Sequence, residues 1–335
     1  MRSIRRAALG ATLLALLVGA CSSGGSSPTP AASAAAPATP APSESAATSP
    51  SGATLASTLV LGGPPECPQR PFCAVGLEKT YGLTFKEFKP LDAGGPISVT
   101  AVTNGNVDVG LLFTSDPAIA ANGFVLLQDD KQLQLADNLV PVLRQAVLDA
   151  TPAVADLLNG WTAKLTQEVL TDLNKQVSVD QKDPADVVKA WLAANGLATG
   201  SAGAGTAVKV GSTNFYEQEI LGELFAQVLE ANGFTVDRKF QLGNREIVFP
   251  ALEAGEIDIL AEYAATALEF VNGGAGEAST DPAATVAKLA ERLAPKGLTA
   301  LDPAPATDQN GFVVTKETAA KYGLTKLSDL AQPAP

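Results

Sequence analysis

The chain has 335 residues, enough for two domains with a sizeable core, and a net charge of −12 with 35 acidic against 23 basic residues. That balance argues against nucleic acid as a partner. The absence of any histidine removes Ser-His-Asp and Cys-His hydrolase arrangements and every His-ligated metal site.

Arg2, Arg5 and Arg6 precede the apolar run Ala7 to Leu17, which is too short to span a bilayer stably, and Val18-Gly19-Ala20-Cys21 follows. Residues 1–21 read as a lipoprotein signal peptide, with Cys21 the acceptor of a diacylglycerol. Residues 22–53 are almost wholly Ser, Ala, Pro, Gly and Thr, a composition that buries too little surface to offset its chain entropy, so a disordered tether is expected. Cys67 and Cys73 stand six positions apart in ECPQRPFC, and in an exported chain a disulfide closing that loop is expected over a two-thiol metal site.

Beyond the tether, STLVLGGPP reads as a strand entering a Gly-Pro turn, GLEKTYGLTF as a short helix and turn, PISVTAVTNG as a helix and VDVGLLF as a buried strand ending at Thr114, Ser115 and Asp116. FVLLQD is a further strand. Leu139 to Ala150, Pro152 to Asn159, Gln167 to Gln176 and Pro184 to Asn195 carry helical apolar spacing. Residues 197–206, LATGSAGAGT, form a small-residue linker. Then VKVGS predicts a strand, NFYEQ a polar turn, and Ile220, Leu221, Leu224, Phe225, Val228 and Leu229 the buried face of a helix that Gly233 ends. FTVDRKF, a helix around Ile247 to Ala254 and the strand Ile257 to Leu260 complete a β-α-β-α-β unit that delivers Glu262, Tyr263 and Thr266. A helix from Pro282 to Ala294, a strand near GLTALD, the extended PAPATDQNGFVVT and a last helix at KETAAKYG close the chain. In open α/β units ligands lie beyond the carboxyl ends of strands, which is where NFYEQ and EYAAT fall.

Three words, GSTNFYEQEILGE, LGNREIVFPALEAGEID and AEYAATAL, occur in the order and spacing of a known family. They resemble the solute-binding proteins of ABC importers for glycine betaine, choline and related quaternary ammonium osmoprotectants. The resemblance implies an α/β, two-lobed periplasmic-binding-protein fold of type II character that closes over solute by hinge motion. It also implies an unusual order. In that family the segment resembling Val208 to Ala331 precedes the one resembling Leu59 to Leu197, whereas here the halves are exchanged. The chain therefore looks circularly permuted, with 197–206 joining the usual termini; a misassembled gene is the other origin of such an order. On this reading lobe B is 58–121 plus 298–331, and lobe A is 122–296.

A quaternary ammonium spreads its charge over methyl groups and is best held by aromatic faces and carboxylates. Carried over by resemblance, the contacts are Gln218, Tyr263 and Thr266 from lobe A, with Arg70, Phe113, Asp308 and Asn310 from lobe B. Tyr263 and Phe113 match cage positions, Asp308 an acidic ligand position and Arg70 an arginine that meets a solute carboxylate. Asn310 and Val99 stand where many members carry cage residues, which leaves room for a solute held more by hydrogen bonds. Arg245 and Glu246 fit a solvated or capping role at a helix start as well as a ligand role. Tyr81 and Tyr322, each in a YGL turn, fit turn packing.

The implied function is capture of a small osmoprotectant and its delivery to a membrane permease, by a lipid-anchored monomer on the outer face of the cell membrane, with no cofactor, metal or covalent chemistry. A ligand sensor or another surface lipoprotein on the same scaffold is the alternative. A histidine-free hydrolase is a third class; the folded part has no SxxK word, and Asp108 and Asp116 lack a recognisable acidic pair.

Overall fold

The computed structural model describes residues 53–335; the expected signal peptide, Cys21 and all but the last residue of the expected tether lie outside them. Ten strands occur among the described residues: β1 (Val60–Gly63), β2 (Glu87–Pro90), β3 (Val109–Phe113), β4 (Val125–Leu126), β5 (Leu139–Arg144), β6 (Ala207–Gly211), β7 (Thr235–Lys239), β8 (Ile259–Tyr263), β9 (Leu298–Ala300) and β10 (Asn310–Val314). They form two five-stranded sheets, ordered β2-β1-β3-β10-β4 in lobe B and β7-β6-β8-β5-β9 in lobe A. Each sheet has a parallel trio, β2-β1-β3 or β7-β6-β8, extended by an antiparallel strand, β10 or β5.

Both faces of each sheet are covered, so the inner strands are apolar without interruption. Along β8, Ile259 and Ala261 join Tyr263 in the core beneath the helix Tyr216–Ala231, while Leu260 packs on the other face with Val248, Phe249 and Leu252. In lobe B, Val109 and Leu111 of β3 face Leu61, Leu77 and Phe312, whereas Leu112 faces Ala101 and Val102 of the helix Pro96–Thr103. Tyr81 and Tyr322 pack into the lobe B core, and the Tyr81 hydroxyl donates to Asp129. Cys67 and Cys73 are disulfide-bonded with Cα atoms 5.2 Å apart.

Several sequence expectations need correction. Leu139–Arg144 is a strand, not the first half of a helix; only Gln145–Ala150 is helical. LVPVLR is a buried apolar run, and such a run satisfies helical and strand patterns alike. The changes of lobe also fall later than 121/122 and 296/298. β4 pairs with β10 in the lobe B sheet, and β9 pairs with β5 in the lobe A sheet. The chain thus crosses between β4 and β5 and again between β9 and β10. The two crossings run side by side: Asn138 bridges Thr307 antiparallel and the Asp308 amide donates to the Asp137 carbonyl.

The segment 197–206 is docked rather than loose. Gly200 and Gly203 donate to the carbonyls of Ala231 and Asn232 at 2.8 and 2.9 Å, and a Cβ on Gly203 would stand 1.9 Å from the Phe234 ring, so only glycine fits there. At the other end of the molecule, the Leu55 amide donates to the Gln332 carbonyl at 2.7 Å and Ala334 donates to Ala53.

Candidate functional site

A cavity of about 300 Å³ lies between the lobes, walled by the carboxyl ends of the strands and the turns that follow them. All seven sequence candidates, Arg70, Phe113, Gln218, Tyr263, Thr266, Asp308 and Asn310, are on its wall. Val99 is not. It sits on the helix Pro96–Thr103, half-buried against the Ala101, Val102 and Leu112 cluster, because the turn at Gly94-Gly95 leaves only Ala93 of that segment to face the cavity.

Tyr263 ends β8 and caps its sheet. Its hydroxyl donates to Glu217 Oε1 at 2.7 Å, and Glu217 Oε2 accepts from Ser115 Oγ of lobe B at 2.6 Å and from Asn174 Nδ2. Glu217, in the first turn of the helix Tyr216–Ala231, therefore ties lobe A to lobe B beneath the cavity. A second tie is aromatic: the rings of Phe113 in lobe B and Phe215 in lobe A stand 4.5 Å apart at 39°. A third crosses at the mouth, where Arg70 of the disulfide loop pairs with Glu246 at 2.9 Å. The lobes are closed on one another.

Asp308 sits on one hinge crossing, buried, with Oδ1 accepting the Ser115 amide at 3.1 Å. Asp137 sits on the other, accepting from the amide and hydroxyl of Thr266. Burial pushes the Asp137 carboxyl up to about 6 despite those hydrogen bonds, and it holds Glu217 and Asp308 above the ordinary carboxylate range too, Asp308 also feeling Glu217. Asp116, buried below β3, is likewise pushed up to about 6 by burial. The buried Arg245 guanidinium grips Glu262, with Nη2–Oε2 at 2.7 Å; burial opposes its charge, but Glu262 outweighs it and raises Arg245 above its usual value. Arg245 thus neutralises Glu262, and Arg70 meets Glu246; among the described residues no lysine or arginine forms an ion pair with Glu217, Asp308 or Asp137. Among the described residues no group of three or more Cys, Asp and Glu converges as a metal site requires.

Several of the candidates are already occupied by protein partners. Thr266 is spent on Asp137, the Asn310 amide donates to the Phe72 carbonyl at 2.9 Å, and the Tyr263 hydroxyl goes to Glu217. Two are not: both amide atoms of Gln218, a residue 1% exposed, and Arg70 Nε are buried without a protein partner. Sequence reasoning missed Phe72, Phe215, Glu217 and Asp137. Phe215 and Glu217 lay in view inside NFYEQ, but that word was taken as a polar turn, whereas the helix begins at Tyr216 and points its first turn at the cavity. Asp137 carries no local signal; only the hinge brings it to the site.

A family profile described as the substrate binding domain of an ABC-type glycine betaine transport system matches residues 41–194 and 206–335. The chain belongs to this family. Among curated relatives, the glycine betaine-binding protein YehZ of Escherichia coli is 35% identical over 132 residues, 38% of this chain and 43% of that one. A glycine-betaine-binding protein of Pseudomonas aeruginosa is 31% identical over 138 residues, 41% of this chain and 44% of that one. The matched part is thus less than half the length of these relatives. An ancestral arginine-binding protein bound to arginine superposes at a TM-score of 0.39 with 15% identity, over 82% of this chain and 89% of that chain.

Proposed function

We propose that this protein is the extracytoplasmic solute-binding component of an ABC importer, tethered to the membrane through a lipid on Cys21, and that it hands a small osmoprotectant of the betaine, choline or carnitine kind to a permease. The observation that carries the reading is electrostatic. Asp308 and Asp137 are buried on the wall of the interlobe cavity with Glu217 beneath it, and among the described residues none of the three makes an ion pair with a lysine or arginine, so a cationic group enters against carboxylates that burial disfavours. Phe72, Phe113, Phe215 and Tyr263 line the same cavity, where an aromatic ring can meet a cation. Arg70, with Nε unspent, suits a carboxylate at the other end of the solute. Gln218, Tyr263, Thr266, Asp308, Asn310, Arg70 and Phe113 form the proposed contact set.

Circular permutation belongs to the same proposal. It is supported by the family match falling into two segments that part at 195–205, and by the C-terminal Gln332 and Ala334 bonding to Leu55 and Ala53, where the family's chain would run on. Calorimetry of the mature, unlipidated chain against betaine, choline, carnitine, ectoine and proline tests the function. One of them should bind, and Tyr263→Ala should weaken it several-fold, a ring face being worth about 0.5–2 kcal/mol to a cation. Asp308→Asn should cost a cationic solute more than a neutral one. No binding by any of the five sinks the reading. The same titration on a chain reordered to run 206–332 into 53–196 should give unchanged affinity; failure to fold would count against permutation.

A further inference from the structure

The cavity contains hydrogen-bonding capacity that a fully methylated zwitterion cannot use. Gln218 is 1% exposed, lines the cavity from the first turn of the helix Tyr216–Ala231, and neither its oxygen nor its nitrogen has a hydrogen-bond partner in the protein. Which end of the amide is which matters little here, since neither atom makes a hydrogen bond of ordinary geometry and only the Tyr263 hydroxyl approaches the amide. The nitrogen can donate to a solute carboxylate, but the oxygen needs a donor. Asp308 stands on the same wall, with Oδ1 taking the Ser115 amide at 3.1 Å. The protein donors around these atoms are already directed elsewhere, Tyr263 Oη to Glu217, Thr266 Oγ1 to Asp137 and Asn310 Nδ2 to the Phe72 carbonyl. The space between the best-placed ring faces is also closed, for Phe113 and Phe215 touch each other at 4.5 Å and leave no gap for a methylated head between them.

Within the reading of the chain as an osmoprotectant-binding protein, on which this inference rests, we propose that the solute carries a polar hydrogen. An N–H on its cationic end or an O–H on its backbone bonds Gln218 Oε1, its carboxylate takes Arg70 Nε and Gln218 Nε2, and glycine betaine, which has no such hydrogen, is a poor ligand. A site built around a hydrogen bond rejects an analogue lacking it because the buried protein atom is then left unpaired.

Two matched pairs of solutes test this on the wild-type mature chain by calorimetry. N,N-dimethylglycine against glycine betaine exchanges one N–H for a methyl, and carnitine against its deoxy analogue removes one O–H. The member with the polar hydrogen should bind more tightly by about tenfold or more in at least one pair, and which pair responds tells N–H from O–H. Gln218→Met, which keeps length and removes both polar atoms, should collapse that ratio towards one while the wild type preserves it; a residue that merely packs would move both members equally and leave the ratio intact. If neither pair favours its polar-hydrogen member by about tenfold, the inference is overturned and the osmoprotectant reading stands. No binding by any of the four overturns both.

Discussion

Two α/β units, Val60–Phe113 in lobe B and Lys209–Tyr263 in lobe A, are built on one frame and diverge only at its edges. In each, an aspartate before the third strand accepts a backbone amide of the first: Asp108 from Val60 at 2.8 Å, and Asp258 from Lys209 at 2.9 Å. In each, a glycine ending or nearly ending the first strand admits an aliphatic side chain so close that a Cβ would clash, Gly62 with Val107 at 2.8 Å and Gly211 with Ile257 at 2.4 Å. The words NVDVGLLF and EIDILAEY carry that frame. The differences lie where packing stops dictating. Lobe B ends its strand in Leu112-Phe113; lobe A ends in Glu262-Tyr263. Lobe B uses Asp92 to cap its helix, accepting the amides of Ile97 and Ser98 at 3.0 and 2.8 Å, whereas Asn244 leaves the matching helix in lobe A without a side-chain cap and Asn244, Arg245 and Glu246 all face the cavity. The lobe B helix start is closed upon itself by Asp92, and the matching helix start in lobe A is turned to the cavity.

The sharpest way to break this contrast is to give lobe A the lobe B residue. Glu262→Leu strands the Arg245 guanidinium in a buried site, and unfolding in urea should show a loss of about 3–5 kcal/mol, with most of it recovered in Arg245→Met/Glu262→Leu. A loss under about 1 kcal/mol would mean that the pair is not holding the rim.

The carboxylates around the hinge come next. Asp116 and Asp137 are pushed up to about 6 in the folded chain, against an ordinary value of 3.8. A raised carboxyl contributes stability that is fully present below its unfolded value and is lost as pH rises through the folded one. Solute-free protein should therefore lose on the order of 2 kcal/mol per group between about pH 4.5 and 7, and Asp137→Asn should remove about half of that slope. The surface pairs act in the opposite sense and mainly below about pH 5, because Asp130 and Glu277 are lowered to about 2 by their partners and gain their stabilisation as the unfolded groups ionise. A slope of opposite sign would show that these acids are ionised at no cost.

The smallest effect compares the two helix starts. Asp92→Ala should cost about 0.5–2 kcal/mol through loss of the cap, and Asn244→Ala close to nothing in stability. Equal losses from the two would erase the distinction between a self-capped rim and one turned to the cavity.

Much of this was legible along the chain, and the reason is local. Period and punctuation are properties of neighbours, so the helix Tyr216–Ala231, the strands β3 and β8 and the Cys67–Cys73 loop follow from spacing that a reader can count. The seven candidate residues came from the resemblance of their words to a known family, and the cavity wall includes all seven. Tertiary structure alone decided the rest. β5 is a strand because β8 and β9 offer it edges, while its own residues suit either state. Asp137 and Asp308 become neighbours because two hinge crossings, far apart in sequence, hydrogen-bond side by side. Gln218 stands out on the cavity wall because both of its amide atoms are buried without a partner, and a sequence, which records what a residue is and not what surrounds it, cannot express a missing partner.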